Sequence, residues 1–233
     1  TRLFNTPRMI LRGDAGIGKT HLLCDYAKSR IDTGKPTLIF LAHELSASTS
    51  TDPIECMASL LQCRTKKAFL DDLQKLTTKS MDRVCIIIDA VNEADQMDWS
   101  ALKQLFSISN LSVVVSVRNG YESVIKNTNQ YTTIEHYGFA DMEWEAIDTC
   151  FKHHKMKLPE IPIVDPEFRN PLFLSIFCES YAGKKDKTPR GHGATHVFEI
   201  YVETQSKKLL EEIGLAKLPN DYLRKNVIKK MGI

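Results

Sequence analysis

Two hydrophobic periods alternate through the first half of the chain. Met9-Ile10-Leu11 is a short apolar run ending at a glycine-rich stretch. Over residues 20–30 the apolar positions Leu22, Leu23, Tyr26 and Ala27 share one helical face, and Gly34 lies just beyond. That spacing predicts an amphipathic helix with a glycine stop. Residues 37–42 form a second apolar run. Helical patterns follow over 54–61 and 67–75. Val84-Cys85-Ile86-Ile87-Ile88 is apolar throughout and ends in Asp89. Residues 99–106 read as a helix. Val113-Val114-Val115-Ser116-Val117 ends in Arg118, and 131–134 suggest one more strand.

Continuous β-branched runs separated by helices signal a parallel sheet buried on both faces. The first half is therefore expected to be an open α/β domain. Ligands of such sheets sit outside the carboxyl ends of the strands. This directs attention to residues 13–20, His43 and Glu44, residues 89–93, and Arg118.

After Gly138 only helical patterns remain. Asp141 is expected to cap a helix with Trp144, Ile147 and Phe151 on one face, and Glu143 and Glu145 suit its positive end. Asn170-Pro171 is a helix start, with asparagine as cap and proline at the first helical position. Leu172, Phe173, Ile176 and Phe177 follow as its apolar stripe up to Gly183. Residues 184–193 read as a basic loop, and 195–213 as a long helix stopped by Gly214. Residues 221–233 are again periodic, with Leu223, Val227 and Ile228 on one face. The chain opens one short step before its first strand and closes inside this pattern, so a piece of a longer protein is expected.

Composition narrows the classes. The 233 residues are 42% hydrophobic and 26% charged, as in ordinary globular proteins. Lys plus Arg is 31 and Asp plus Glu is 29, so the net charge is +2 and no global field draws the chain to nucleic acid or to a membrane surface. No apolar run approaches the roughly 20 residues of a membrane span. The six cysteines are scattered without a Cys-x-x-Cys pair. That disfavours a zinc site or a disulfide framework and makes the cytoplasm the expected compartment. His192 and His196 have i,i+4 spacing but no acidic or cysteine partner beside them, so a metal site there is disfavoured. The basic run 184–190 lacks interleaved aromatics, which disfavours a nucleic-acid patch.

The chemistry lies in the first glycine-rich stretch. Gly13-Asp14-Ala15-Gly16-Ile17-Gly18-Lys19-Thr20 fits G-x-x-x-x-G-K-[ST] in full, after a strand and opening a helix. Its backbone N–H groups and the helix N-terminus suit phosphate oxygens, Lys19 suits the β- and γ-phosphates, and the Thr20 hydroxyl suits Mg²⁺. These residues and the adjoining His21 are the candidate nucleotide contacts. Asp89, ending an all-apolar strand, is the second candidate partner of Mg²⁺. Hydrolysis needs a group that orients water. Glu93 is the first candidate and Glu44 the second, although Glu93 is also readable as a turn-capping acid. Arg118 is placed to stabilise the γ-phosphate, unless it is a plain surface arginine. Lys19, Glu93 and Arg118 form the candidate catalytic set. Arg2, Arg8 and Arg12 are further cations near the start. No Asn-Lys-x-Asp follows a strand, which disfavours a guanine-reading GTPase.

Together these segments resemble the STAND class of P-loop NTPases in its NACHT-like branch, nearest to the bacterial antiviral STAND (Avs) proteins. The resemblance rests on residues 13–23, Ile-Ile-Ile-Asp-Ala-Val-Asn-Glu (86–93), Val-Val-Val-Ser-Val-Arg (113–118), His-Tyr-Gly-Phe (136–139) and Phe-Arg-Asn-Pro-Leu-Phe-Leu (168–174). It implies a P-loop core over 1–137, a helical lid over 138–215 and the start of a truncated winged helix over 216–233. It places Asp89 and Glu93 on the Walker B acids, Arg118 on the sensor arginine, and Pro171 on the lid proline packed near adenine. It also implies ATP and Mg²⁺ as cofactors, self-association in the full-length protein, a phage-protein trigger read by a further C-terminal region, and an N-terminal effector. The histidine found in the winged helix of some relatives is not identifiable. The rivals are a STAND transcription regulator, a metabolic P-loop kinase or ATPase, and a nucleotide-binding scaffold that does not hydrolyse.

Overall fold

The computed structural model describes residues 6–126, 128–158, 166–181 and 194–212. The expected basic loop, Gly183, His192, Gly214 and the winged-helix start lie outside them. The chain divides into two compact units, Thr1–Tyr137 and Gly138–Ile233.

In the first unit five strands form one parallel sheet. They are β1 (Arg8–Gly13), β2 (Thr37–Leu41), β3 (Val84–Asp89), β4 (Leu111–Arg118) and β5 (Thr132–Glu135), in the order β2-β3-β4-β1-β5. The inner strands β3 and β4 are buried along nearly their whole length, as their unbroken apolar runs require. Side chains alternate between two cores. Val84, Ile86, Ile88, Val113, Val115 and Val117 pack on one face with α2 (Ala42–Leu45), α3 (Pro53–Leu60) and α4 (Lys66–Lys79). Met9, Leu11, Cys85, Ile87 and Val114 pack on the other against Leu23 and Ala27 of α1 (Lys19–Asp32). Gly34 follows α1 in the left-handed region, as the stop signal suggested.

Two local features are finer than the sequence pattern. The helix expected over 99–106 is present as a 3-10 helix, Trp99–Ser107, whose start is held by Asp98 accepting from the Ser100 N–H at 3.2 Å. The short helix α2 directly after β2 carries no periodicity long enough to be seen in advance.

The second unit holds α5 (Glu143–His153), a 3-10 turn (Pro166–Arg169), α6 (Pro171–Tyr181) and α7 (Ala194–Glu212). Its core is aromatic: Phe168 packs edge-on against Phe177 at 4.9 Å, and Phe151 stacks on Phe177 at 6.0 Å. Asn170 Oδ1 accepts from the N–H groups of Leu172 and Phe173 at 2.9 and 3.2 Å, the expected cap before Pro171. Asp141 does not cap α5. It takes a left-handed backbone, φ 66°, which leaves Met142 at the cap position. Glu143 instead accepts from Arg169 Nε at 2.6 Å. Backbone N–H groups and that guanidinium hold its carboxyl below the usual range. Ile147 and Phe151 are buried as expected, but Trp144 and Leu172 are exposed, so the apolar stripes of α5 and α6 are narrower than the sequence suggests.

Candidate functional site

The carboxyl ends of β4, β1 and β5 converge on the glycine-rich loop. Gly13 stands opposite Arg118 in the β1–β4 register, and the His136 N–H donates to Arg12 O at 2.8 Å. A Cβ on Gly13 would lie 2.7 Å from the His136 carbonyl oxygen and 3.1 Å from Ile17 Cγ2. Only glycine lets these backbones approach so closely. Gly16 and Gly18 have φ of 71° and 94°. Gly18 sits at the N-cap of α1 without a side-chain bond, and the first turn of α1 carries no acid. Its leading N–H groups are therefore free of side-chain caps and suit an anion.

Lys19 folds back over the loop and donates to Gly13 O at 2.7 Å and Asp14 O at 2.8 Å. Burial lowers its pKa, the Asp89 charge opposes that, and the Arg118 charge adds to it. Lys19, Asp89 and Arg118 thus share one electrostatic neighbourhood. Thr20 Oγ1 donates to Asp89 Oδ2 at 2.6 Å. This bond ties the first turn of α1 to the end of β3. Asp89 is 3% exposed and also accepts from the Ser116 hydroxyl.

The remaining candidates sit farther out. Glu93 ends the 3-10 turn Val91–Glu93, exposed, with its carboxylate 3.8 Å from Nδ1 of His43 on α2. Glu44 is exposed on α2, and His21 is exposed in the first turn of α1. The backbone N–H of Arg118 donates to Asn92 Oδ1 at 2.9 Å, which anchors the strand end while its side chain stays exposed. Two early arginines are engaged elsewhere: Arg8 stacks over Phe106, and Arg12 pairs with Glu135 at 2.7 Å. Pro171 opens α6 in the second unit.

Four residues to which the sequence assigned no individual role also belong to this neighbourhood. Ser116 is one. Asn119 donates to Asp14 Oδ1 at 2.9 Å and so holds the second residue of the loop. His136 is held below the ordinary imidazole value by burial and then by Lys19. Asn92 is the fourth. Ser116 is the one with a visible signal, a polar residue inside an otherwise apolar strand run.

The sequence matches the NACHT domain family model over residues 7–156, well over half the chain. The chain belongs to the NACHT family. A search of curated proteins by sequence gives no match. Among solved structures, this NACHT chain is similar to the replication initiator DnaA bound to AMPPCP and single-stranded DNA. The identity is 13%, the TM-score 0.52, and the match covers 90% of this chain and 64% of that one. A DNA replication initiation factor matches at 14% identity and TM-score 0.46, covering 92% of this chain and 58% of its own. The Aeropyrum pernix ORC1 protein in complex with DNA matches at 12% identity and TM-score 0.47, covering 91% and 63%. The chain spans less than two thirds of the length of each of these proteins. At such identities the DnaA likeness establishes a shared P-loop NTPase fold. No helix among the described residues is long and apolar enough to cross a membrane.

Proposed function

We propose that this NACHT domain is the Mg²⁺–ATP-binding, self-associating switch module of a bacterial antiviral STAND sensor. The observation that carries the nucleotide part is the Thr20–Asp89 bond beside a glycine-walled loop. A cradle that a Cβ on Gly13 would fill, left-handed loop glycines and an uncapped α1 suit a triphosphate. Two hard oxygen donors, one hydroxyl and one carboxylate, suit Mg²⁺. When bound, Mg²⁺ neutralises charge that develops on the phosphates.

In this reading the protein's own groups have separate duties. The loop N–H groups orient the phosphates. Lys19 gives up its bonds to the Gly13 and Asp14 carbonyls for phosphate oxygens. Thr20 can turn a lone pair to the metal while keeping its proton on Asp89. Glu93 orients water from the exposed side of the sheet end, and Arg118, close enough to perturb Lys19, supplies positive charge. Pro171 packs near the adenine, a role that rests on the resemblance alone. Among the described residues Arg8 and Arg12 are engaged elsewhere, and Arg2 lies outside them, so Lys19 and Arg118 are the cations this reading gives to the phosphates. A missing transition-state arginine costs about 10³–10⁵ in rate, so hydrolysis is slow and the ATP state persists.

The antiviral role rests on the Asp-Ala-Val-Asn-Glu and Asn-Pro-Leu-Phe-Leu segments. The test has two parts. By light scattering, the 233-residue chain stays monomeric with ATP, while the full-length protein forms a closed oligomer only with ATP and its trigger together. In a phage challenge, the full-length gene protects its host and the Lys19→Ala gene does not. A monomeric chain that turns over tens of ATP per second would instead mark a metabolic ATPase.

A further inference from the structure

The direction of the Ser116 hydroxyl is fixed by its neighbours. The Ala90 N–H donates to Ser116 Oγ at 2.8 Å. An N–H cannot accept, so the single hydroxyl proton must go elsewhere, and the acceptor it meets is Asp89 Oδ1. Ser116 has no exposed surface, so bulk water cannot take its place. The other oxygen of Asp89 accepts from Thr20 at 2.6 Å. A buried carboxylate is thus clamped at both oxygens, by α1 on one side and by β4 on the other. Ala90 itself is left-handed, φ 57°, a backbone that a residue with a Cβ seldom adopts unaided. The Ser116 bond holds that turn in place.

We propose that Ser116 is a positioning residue for the divalent metal. It acts through Asp89, fixing the carboxylate rotamer and so which lone pairs remain to face the metal or its bound water. Each carboxylate oxygen has two lone pairs, and each already gives one to a protein hydroxyl, which leaves one apiece in a set direction. Without the serine hydroxyl, Asp89 Oδ1 and the Ala90 N–H both lose their partner. The carboxylate then rotates and the turn relaxes. Partners that orient a ligand in this way typically change metal affinity by about 10–100-fold. The proposal rests on Asp89 and Thr20 forming the metal end of the site.

The test is Mn²⁺ binding, read by electron paramagnetic resonance, on the chain saturated with the non-hydrolysable analogue AMPPCP. No turnover is involved. Ser116→Ala is expected to weaken Mn²⁺ by at least about tenfold and Ser116→Thr to restore it, with AMPPCP affinity in chelator unchanged in both. Parental Mn²⁺ affinity in Ser116→Ala overturns the proposal. So does an equal loss of metal-free AMPPCP binding, which marks a general structural role. Should the alanine variant not fold, Ser116→Cys decides, because a thiol keeps the volume but donates weakly. Parental Mn²⁺ affinity in the cysteine variant overturns the proposal too. Asp89→Asn separates the two levels. If it binds Mn²⁺ as the parent does, the metal assignment fails and the proposal falls with it. If Asp89→Asn is weakened and Ser116→Ala is not, only the role of Ser116 falls.

Discussion

A methyl group at Gly13 tests the loop's closest contact. The added Cβ of Gly13→Ala would sit 2.7 Å from the His136 carbonyl oxygen, well inside contact distance, and 3.1 Å from Ile17 Cγ2. Ile17 can shift its side chain, but the carbonyl is backbone. The adjoining His136 N–H is bonded to Arg12 O at 2.8 Å, so moving that peptide strains or breaks the bond. Overpacking costs about 1–3 kcal/mol and a lost hydrogen bond about 1 kcal/mol, so about 2–4 kcal/mol in all. The chain has two tryptophans, and they divide conveniently between the units. Trp99 is 2% exposed in the first unit and Trp144 is 40% exposed in the second. In a Trp144→Phe background, emission during urea unfolding reports the first unit alone. With a slope of about 2 kcal/mol per molar, the midpoint should fall by about 1–2 M. AMPPCP binding should weaken as well, because the displaced segment borders the phosphate loop. An unchanged midpoint at unchanged slope would refute the close-approach argument.

Three further outcomes follow from the geometry. Glu93→Gln keeps volume but loses the charge to which we assign the orienting of water, so single-turnover hydrolysis should fall by about 10²–10⁴ while ATP binding survives; if Glu44→Gln does this instead, the acid is misassigned. Asn119→Ala removes the bond to Asp14, and one such bond is worth about 0.5–1.5 kcal/mol, so AMPPCP affinity by calorimetry should fall a few-fold. His136 is depressed by burial and by Lys19, so as pH falls below the unfolded imidazole value of about 6.5 the unfolded chain takes the proton more readily and stability is lost. The parental melting temperature should drop more steeply than that of His136→Asn between about pH 7 and about pH 5, and parallel slopes would refute the assignment.

The parallel sheet was legible because β3 and β4 are buried on both faces, and only apolar β-branched runs survive there. The phosphate loop was legible because its glycine spacing is demanded by backbone geometry. The Asn170 cap was legible as a local rule. The capping position at Met142 was not, because a left-handed Asp141 depends on the turn around it. Nor was the 3-10 form of Trp99–Ser107, since apolar spacing over two turns fits either helix. In the site, Asp89 announced itself at a strand end. Its partner Ser116 lies on β4, and Asn119 and His136, which border the glycine-rich loop, follow β4 and β5; strand order is set by packing that no local pattern encodes. The His43–Glu93 approach depends in the same way on β2 lying beside β3.

The central claim is that the loop at residues 13–20 binds Mg²⁺–ATP. Calorimetric titration of AMPPCP into the parental chain and Lys19→Ala, each with and without Mg²⁺, tests it most directly. One site, tightened by Mg²⁺ and weakened at least about tenfold by Lys19→Ala, is the predicted result, since a charge-assisted contact is worth about 1.5–3 kcal/mol. Equal affinity in the two proteins, or binding indifferent to Mg²⁺, would contradict it.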